Sequence, residues 1–146
     1  MARLLGVYLF VQDVAASAAF YEVLGLEVEV VSDMLGRAQS DCGATIEFGT
    51  SSLTRSYDPD WQPPGPLAKN TIGLELESRA AVDHVFGAAM NAGYEGQVAP
   101  CDPPWGARFA VVVDPDGNQV GLHSPRDRSD ERRRERVGTE LGQQEN

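Results

Sequence analysis

Apolar and polar positions alternate from Leu5 to Val11. At Asp13 the spacing turns helical, with Val14, Ala18, Phe20, Tyr21 and Leu24 apolar up to Gly25. The first run predicts a strand and the second a helix with Asp13 as N-cap and Gly25 at its close. Leu26 to Val31, Gly36 to Ser40 and Ala44 to Gly49 follow as short mixed runs bounded by glycine or turn formers, and they predict three more strands. The same order then recurs. Thr71 to Glu77 reads as a strand, Ser78 as an N-cap, and Ala80 to Asn91 as a helix with Ala81, Val85, Ala88 and Ala89 inward and Gly93 as C-cap. Gln97 to Ala99, Phe109 to Val113 and Gln119 to His123 supply the last strands. Leu9 to Asp13 aligns with Leu74 to Ser78, and Gly25 with Gly93, so the chain is a repeat in pattern and only weakly in identity.

The sharpest local signal is Val111-Val112-Val113-Asp114-Pro115-Asp116-Gly117-Asn118. The β-branched run resists helix, and the turn has a preset φ at proline and a positive-φ position at glycine, which together predict a hairpin. Residues 51–69 carry prolines at 59, 63, 64 and 66 beside Tyr57 and Trp61. That density predicts an ordered loop or extended linker, in which Trp61 either caps a pocket or packs structurally. These boundaries predict one domain over 1–124, with module one at 4–50, the linker at 51–69 and module two at 70–124. Residues 125–146 form a charged tail, read as disordered or as a solvated helix.

Composition narrows the function classes. The 146 residues carry a formal charge of −10. From Ser124 onward arginines and acids balance, so that charge lies on the body of an acidic protein. Such a surface disfavours nucleic acid and anionic lipid and draws cationic ligands. No apolar run approaches the ~20 residues of a membrane span. Cys42 and Cys101 fit no disulfide framework and no metal pattern, which predicts free thiols and a cytoplasmic setting.

Asp114 to Asn118 with its alternating apolar sequel, together with Phe20-Tyr21-Glu22-Val23-Leu24-Gly25-Leu26, resembles the vicinal oxygen chelate superfamily, which includes glyoxalase I, extradiol dioxygenases and bleomycin-resistance proteins. The resemblance spans residues 4 to 123 and implies an α+β fold of two βαβββ modules whose mixed sheets curl into a cup, usually in a homodimer. In its metalloenzymes the cup holds a divalent ion through a residue on the first strand of each module and an acid on the last. Carried over by counting from the motifs, those positions are Gly6, Glu47, Thr71 and Gly121. Only Glu47 is an expected ligand, and one carboxylate does not hold a site that needs three or more protein donors. The expectation is therefore no metal and no cofactor.

The remaining chemistry is that of binding. Tyr8 and Phe10 share the phase of Gly6, and Thr45, Glu47, Thr71, Gly73 and Glu75 share it on the neighbouring strands. Two aromatics with Glu47 and Glu75 suit a cationic or planar aromatic ligand, although strand aromatics also serve as core. Trp105 and Arg108 fall where drug-binding relatives carry an aromatic and a base at the pocket rim, and Trp105 after two prolines also suits strand-start packing. His123 shares the phase of Gln119 and Gly121, whereas His84 lies within the second helix. No nucleophile–base constellation is present, so no catalytic residue is assigned. The expected site is Tyr8, Phe10, Glu47, Thr71, Glu75, Trp105, Arg108 and His123. Its expected use is metal-free sequestration of a small organic compound, as in antibiotic resistance. The alternative is an enzyme of the same fold, metal-dependent or using Glu47 as an acid–base group.

Overall fold

The computed structural model describes residues 1–2, 4–63, 65 and 70–126. The chain runs β1 (Gly6–Phe10), α1 (Val14–Val23), β2 (Glu27–Ser32), β3 (Leu35–Gln39), β4 (Thr45–Gly49) and α2 (Ser51–Arg55). It continues as β5 (Thr71–Glu75), α3 (Arg79–Asn91), β6 (Glu95–Cys101), β7 (Phe109–Val113) and β8 (Gln119–His123). The strands form two mixed sheets, ordered β1-β4-β3-β2 and β5-β8-β7-β6. In each, the first strand runs parallel to the last of its module and the other pairs are antiparallel. This is the α+β pair of βαβββ modules that the repeat predicts.

The N-caps follow the sequence, whereas the C-caps are Leu24 and Ala92, with Gly25 and Gly93 one residue further on at positive φ, where the reversing chain needs glycine. Asp13 Oδ1 accepts the Ala16 N–H and Ser78 Oγ accepts the Ala81 N–H, each satisfying one orphan donor of a helix start. One element departs from expectation. Residues 51–55 form the short helix α2 where the linker predicts a loop, because the first proline of the segment is Pro59 and the residues before it are free to turn. The charged tail from residue 127 and the linker residues 64 and 66–69 lie outside the described residues.

α1 and α3 each cover one face of their own sheet, and these two helices also meet each other. Phe20 and Tyr21 of α1 are both 0% exposed; Tyr21 stacks on Phe48, while Phe20 meets Tyr94 of module two edge-on at 4.9 Å. On α3 the fully buried residues are Val82 and Ala89, while Ala81, Val85 and Ala88 are half-buried. The predicted inward stripe missed Val82, because a helix facing both a sheet and α1 buries a wider arc than one facing a sheet alone.

The two motifs that carry the family resemblance touch each other. The Tyr21 hydroxyl donates to Asp114 Oδ2 at 3.0 Å across the modules. Asp114 also accepts from Asp116 N, Asn118 N and Asn118 Nδ2, which closes the hairpin turn. Beside it the Gln12 N–H donates to Asp116 Oδ1 at 3.0 Å. Together these bonds tie the chain at both ends of α1, through Gln12 and Tyr21, to the β7–β8 turn, and so fix where the end of β1 stands against module two.

Candidate functional site

Opposite α1, the first sheet presents Tyr8 and Phe10 from β1, Glu47 from β4 and Arg37 from β3, since alternate residues of these strands point away from the core. Tyr8 meets Phe10 edge-on at 5.3 Å, and Phe10 meets Trp61 at 4.4 Å with an interplanar angle of 37°. Three rings thus run from mid-strand to the linker. The Arg55 guanidinium lies 5.7 Å from the centroid of the Trp61 ring, and its Nε–H donates to the Trp61 carbonyl. The ladder forms one wall of an open cleft of about 1230 Å³ at the end of β1. The cleft also reaches the β7–β8 turn at Asp116, Gly117 and Asn118, so both modules line it.

Polar groups around the cleft are unevenly satisfied. The buried hydroxyls of Tyr8, Thr50 and Thr54 make no well-formed hydrogen bond. Burial pushes the Tyr8 phenol above its usual range, against the lowering effect of the nearby Thr54 hydroxyl and with smaller contributions from Tyr57 and Glu47. Asp116 is also pushed up, first by partial burial and then by the charges of Asp114 and Asp13, against the lowering effects of the Gln12 N–H and the Ser17 hydroxyl. Glu47 is bound by Arg37, with Oε1 2.9 Å from both Nε and Nη2, and Glu29 stands 3.9 Å from the same guanidinium. Of the two carboxylates expected to attract a cation, Glu47 is therefore already paired.

The family's metal positions do not fit a metal here. A Cβ on Gly6 would run into the Thr45 carbonyl oxygen on the paired strand, so the backbone leaves no room for a ligating side chain. The Thr71 hydroxyl donates to Gln119 Oε1 at 3.1 Å. At Gly121 a Cβ would stand 3.1 Å from His123 Nε2 and 3.2 Å from Phe109 Cε2, so those two rings fill the space of the missing acid. Among the described residues no group of three or more His, Cys, Asp or Glu side chains could hold an ion.

The remaining expected residues lie on module two. Phe109 pairs with His123 in register, their rings are 4.8 Å apart, and Trp105 meets Phe109 edge-on at 5.4 Å. Glu75 is His123's partner on β5. Desolvation first, then the charge of Arg126, lowers the His123 pKa against the opposing pull of Glu75, so the imidazole favours its neutral form. Arg108 is not free at a rim: Asp83 of α3 takes its Nε and Nη2 at 3.0 Å, and Asp102 lies 3.2 Å from Nη1.

The eight expected residues thus form separate groups. Tyr8, Phe10 and Glu47 stand on the first sheet; Thr71, Glu75, Trp105 and His123 stand on or beside the second; Arg108 belongs to an ion-pair bracket on α3. Among the described residues no hydrogen bond, ion pair or ring contact joins the first two groups. Sequence reasoning missed Phe109, Arg37 and Asp116. The phase of β7 opposite His123 marks Phe109, and alternation on β3 marks Arg37. Asp116 is masked by its place in a turn motif. Trp61, left open between pocket and packing, lines the cleft.

The model of the Glyoxalase/Bleomycin resistance protein/Dioxygenase superfamily matches residues 3–122. No curated protein matches the chain in sequence. Among solved structures, a family enzyme from Burkholderia phytofirmans PsJN shares 23% identity at a TM-score of 0.71, covering 84% of this chain and 98% of its own. A glyoxalase-related enzyme from Fulvimarina pelagi shares 18% at a TM-score of 0.74, covering 86% and 89%. Lactoylglutathione lyase from Agrobacterium tumefaciens shares 19% at a TM-score of 0.65, covering 85% and 94%. At these identities the likeness is one of fold.

Proposed function

Starting from the chain's membership of the glyoxalase/bleomycin resistance protein/dioxygenase superfamily, we propose that it is a metal-free member that captures a small planar aromatic compound without transforming it. The observation that carries this reading is the ring ladder Tyr8–Phe10–Trp61 on the wall of a cleft large enough for a drug-sized molecule. Protection would then be stoichiometric, set by affinity and by the amount of protein, as in resistance by sequestration. The carboxylate that an acid–base enzyme would use, Glu47, is bound by Arg37, and Gly6 and Gly121 supply no donor atoms.

The same reading includes a homodimer. The two aromatic faces belong to separate sheets, and Leu4, Leu5 and Val7 stand exposed just before and at the start of β1, which is an edge strand. The free thiols Cys42 and Cys101 accord with a cytoplasmic setting, and no helix among the described residues is long and apolar enough to cross a membrane.

The test is native mass spectrometry of protein purified without chelator and then offered Mn, Fe, Ni and Zn ions, with a screen of planar aromatics on the same sample. The expected result is a dimer that takes up no stoichiometric ion and retains an aromatic compound unchanged. One ion held per site, or chemical conversion of the retained compound, refutes the reading.

A further inference from the structure

On module two the loop between β6 and β7 is held in place almost without its backbone. β6 leaves regular register between Val98 and Cys101, so Cys101 opposite Phe109 is an isolated last pairing before the loop. At the far end Arg108 is tied to β8, its N–H donating to Ser124 Oγ at 2.8 Å and its carbonyl accepting the Ser124 N–H at 2.9 Å. Between Asp102 and Arg108 the one backbone–backbone hydrogen bond among the described residues runs from the Gly106 N–H to the Pro103 carbonyl, inside the loop itself. Pro103 and Pro104 have no N–H to give. Of the side chains between those ends only that of Ala107 is buried, a single methyl group.

Charges supply the tie that the backbone lacks. Arg79 and Asp83 stand one turn apart on α3 and so share a face. Asp102 pairs with Arg79, and Arg108 pairs with Asp83 through Nε and Nη2, both at 3.0 Å. Asp102 Oδ2 also lies 3.2 Å from Arg108 Nη1, which closes the base of the loop. The sign therefore alternates from Arg79 to Asp102 to Arg108 to Asp83, and Asp102 has a cation on either side. A network of this kind holds better than an isolated surface pair. It is still open to screening by salt, because Arg79, Asp83 and Asp102 are each about half exposed.

The loop carries Trp105, whose ring meets Phe109 edge-on at 5.4 Å, and Phe109 in turn lies 4.8 Å from the His123 ring. We propose that residues 102–107 are a strap latched by charge: with Asp102 seated between Arg79 and Arg108 it holds Trp105 against Phe109 at the edge of the second sheet's aromatic face, and with those pairs screened it lifts and uncovers that face. Gly106, at φ 81°, is where the strap turns. Lifting breaks one ring contact, the burial of one methyl group and the Asp102 pairs, and no backbone ladder, which is the condition for a segment to open by itself while the rest of the domain stays folded.

Quenching of Trp105 fluorescence by acrylamide, a neutral quencher, tests it in the full chain carrying Trp61→Phe, which leaves Trp105 as the one tryptophan. Raising sodium chloride from about 0.01 M to about 1 M shortens the screening length from about 30 Å to about 3 Å. Over that range the quenching constant rises roughly twofold or more while the far-ultraviolet circular dichroism stays unchanged. Asp102→Asn shows the higher value already at the lower salt and gains nothing from the higher. A quenching constant that does not respond to salt overturns the latch, and so does a folded Asp102→Asn variant that matches its parent at the lower salt or rises with salt as its parent does. If Asp102→Asn does not fold, Arg79→Gln, which removes the other half of the same pair from the exposed face of α3, takes its place with the same expected and overturning results.

Discussion

Removing the Tyr21 hydroxyl tests whether the two sequence motifs act as one structural clamp. Tyr21→Phe keeps a ring of the same shape in a position that is 0% exposed, so no cavity forms and only the bond to Asp114 is lost. Asp114 is 4% exposed and retains three donors, from Asp116 N, Asn118 N and Asn118 Nδ2, so its charge stays partly solvated by the turn. A hydrogen bond to a buried charged acceptor contributes about 1.5–3 kcal/mol, and that is the loss expected in urea unfolding near neutral pH. It corresponds to a melting temperature lower by roughly 5–12 °C for a domain of this size. Ionisation supplies a second readout. Burial, then the charge of Asp114, raises the Tyr21 pKa far above its usual value of 10.0. A raised folded-state pKa means the folded protein keeps a proton that the unfolded chain gives up. Tyr21's contribution is therefore complete below about pH 10 and is lost progressively as pH rises beyond it. The wild type should lose stability more steeply than Tyr21→Phe between about pH 10 and 11.5. A change under about 0.5 kcal/mol with parallel alkaline slopes would refute the clamp.

Gly6→Ala should destabilise the fold by about 1–3 kcal/mol, because its methyl group overlaps the carbonyl of Thr45, its register partner on β4. Gly6→His should fail to gain a metal, and inductively coupled plasma analysis showing one ion per chain in that variant would contradict the steric argument. For His123, an NMR titration should place the midpoint below the ordinary 6.5. Because its folded pKa is lowered, the folded state resists protonation, and stability falls as pH drops below that ordinary value. A midpoint at or above it would show that desolvation does not dominate at β8.

The sequence by itself determined the repeat, the hairpin, the strand phases and both helix starts. These are local properties: alternation, helical spacing, the Asp13 and Ser78 caps and the Asp-Pro-Asp-Gly-Asn turn act within a few residues of themselves. It also determined that Gly6 and Gly121 bring no donor atoms, since glycine has none wherever it is placed. Tertiary structure alone decided the site. That Arg37 pairs Glu47, that Asp83 and Asp102 take Arg108, and that Trp61 comes back onto Phe10 all depend on side chains from different elements meeting. Pairing between distant residues leaves no periodic trace in a chain, because a charge or ring obeys the same local pattern whether or not it has a partner. The division of the expected residues between two sheets has the same origin. Strand phase says which face a residue takes, and only the packing of α1 against α3 and the Tyr21–Asp114 bond says how two such faces stand.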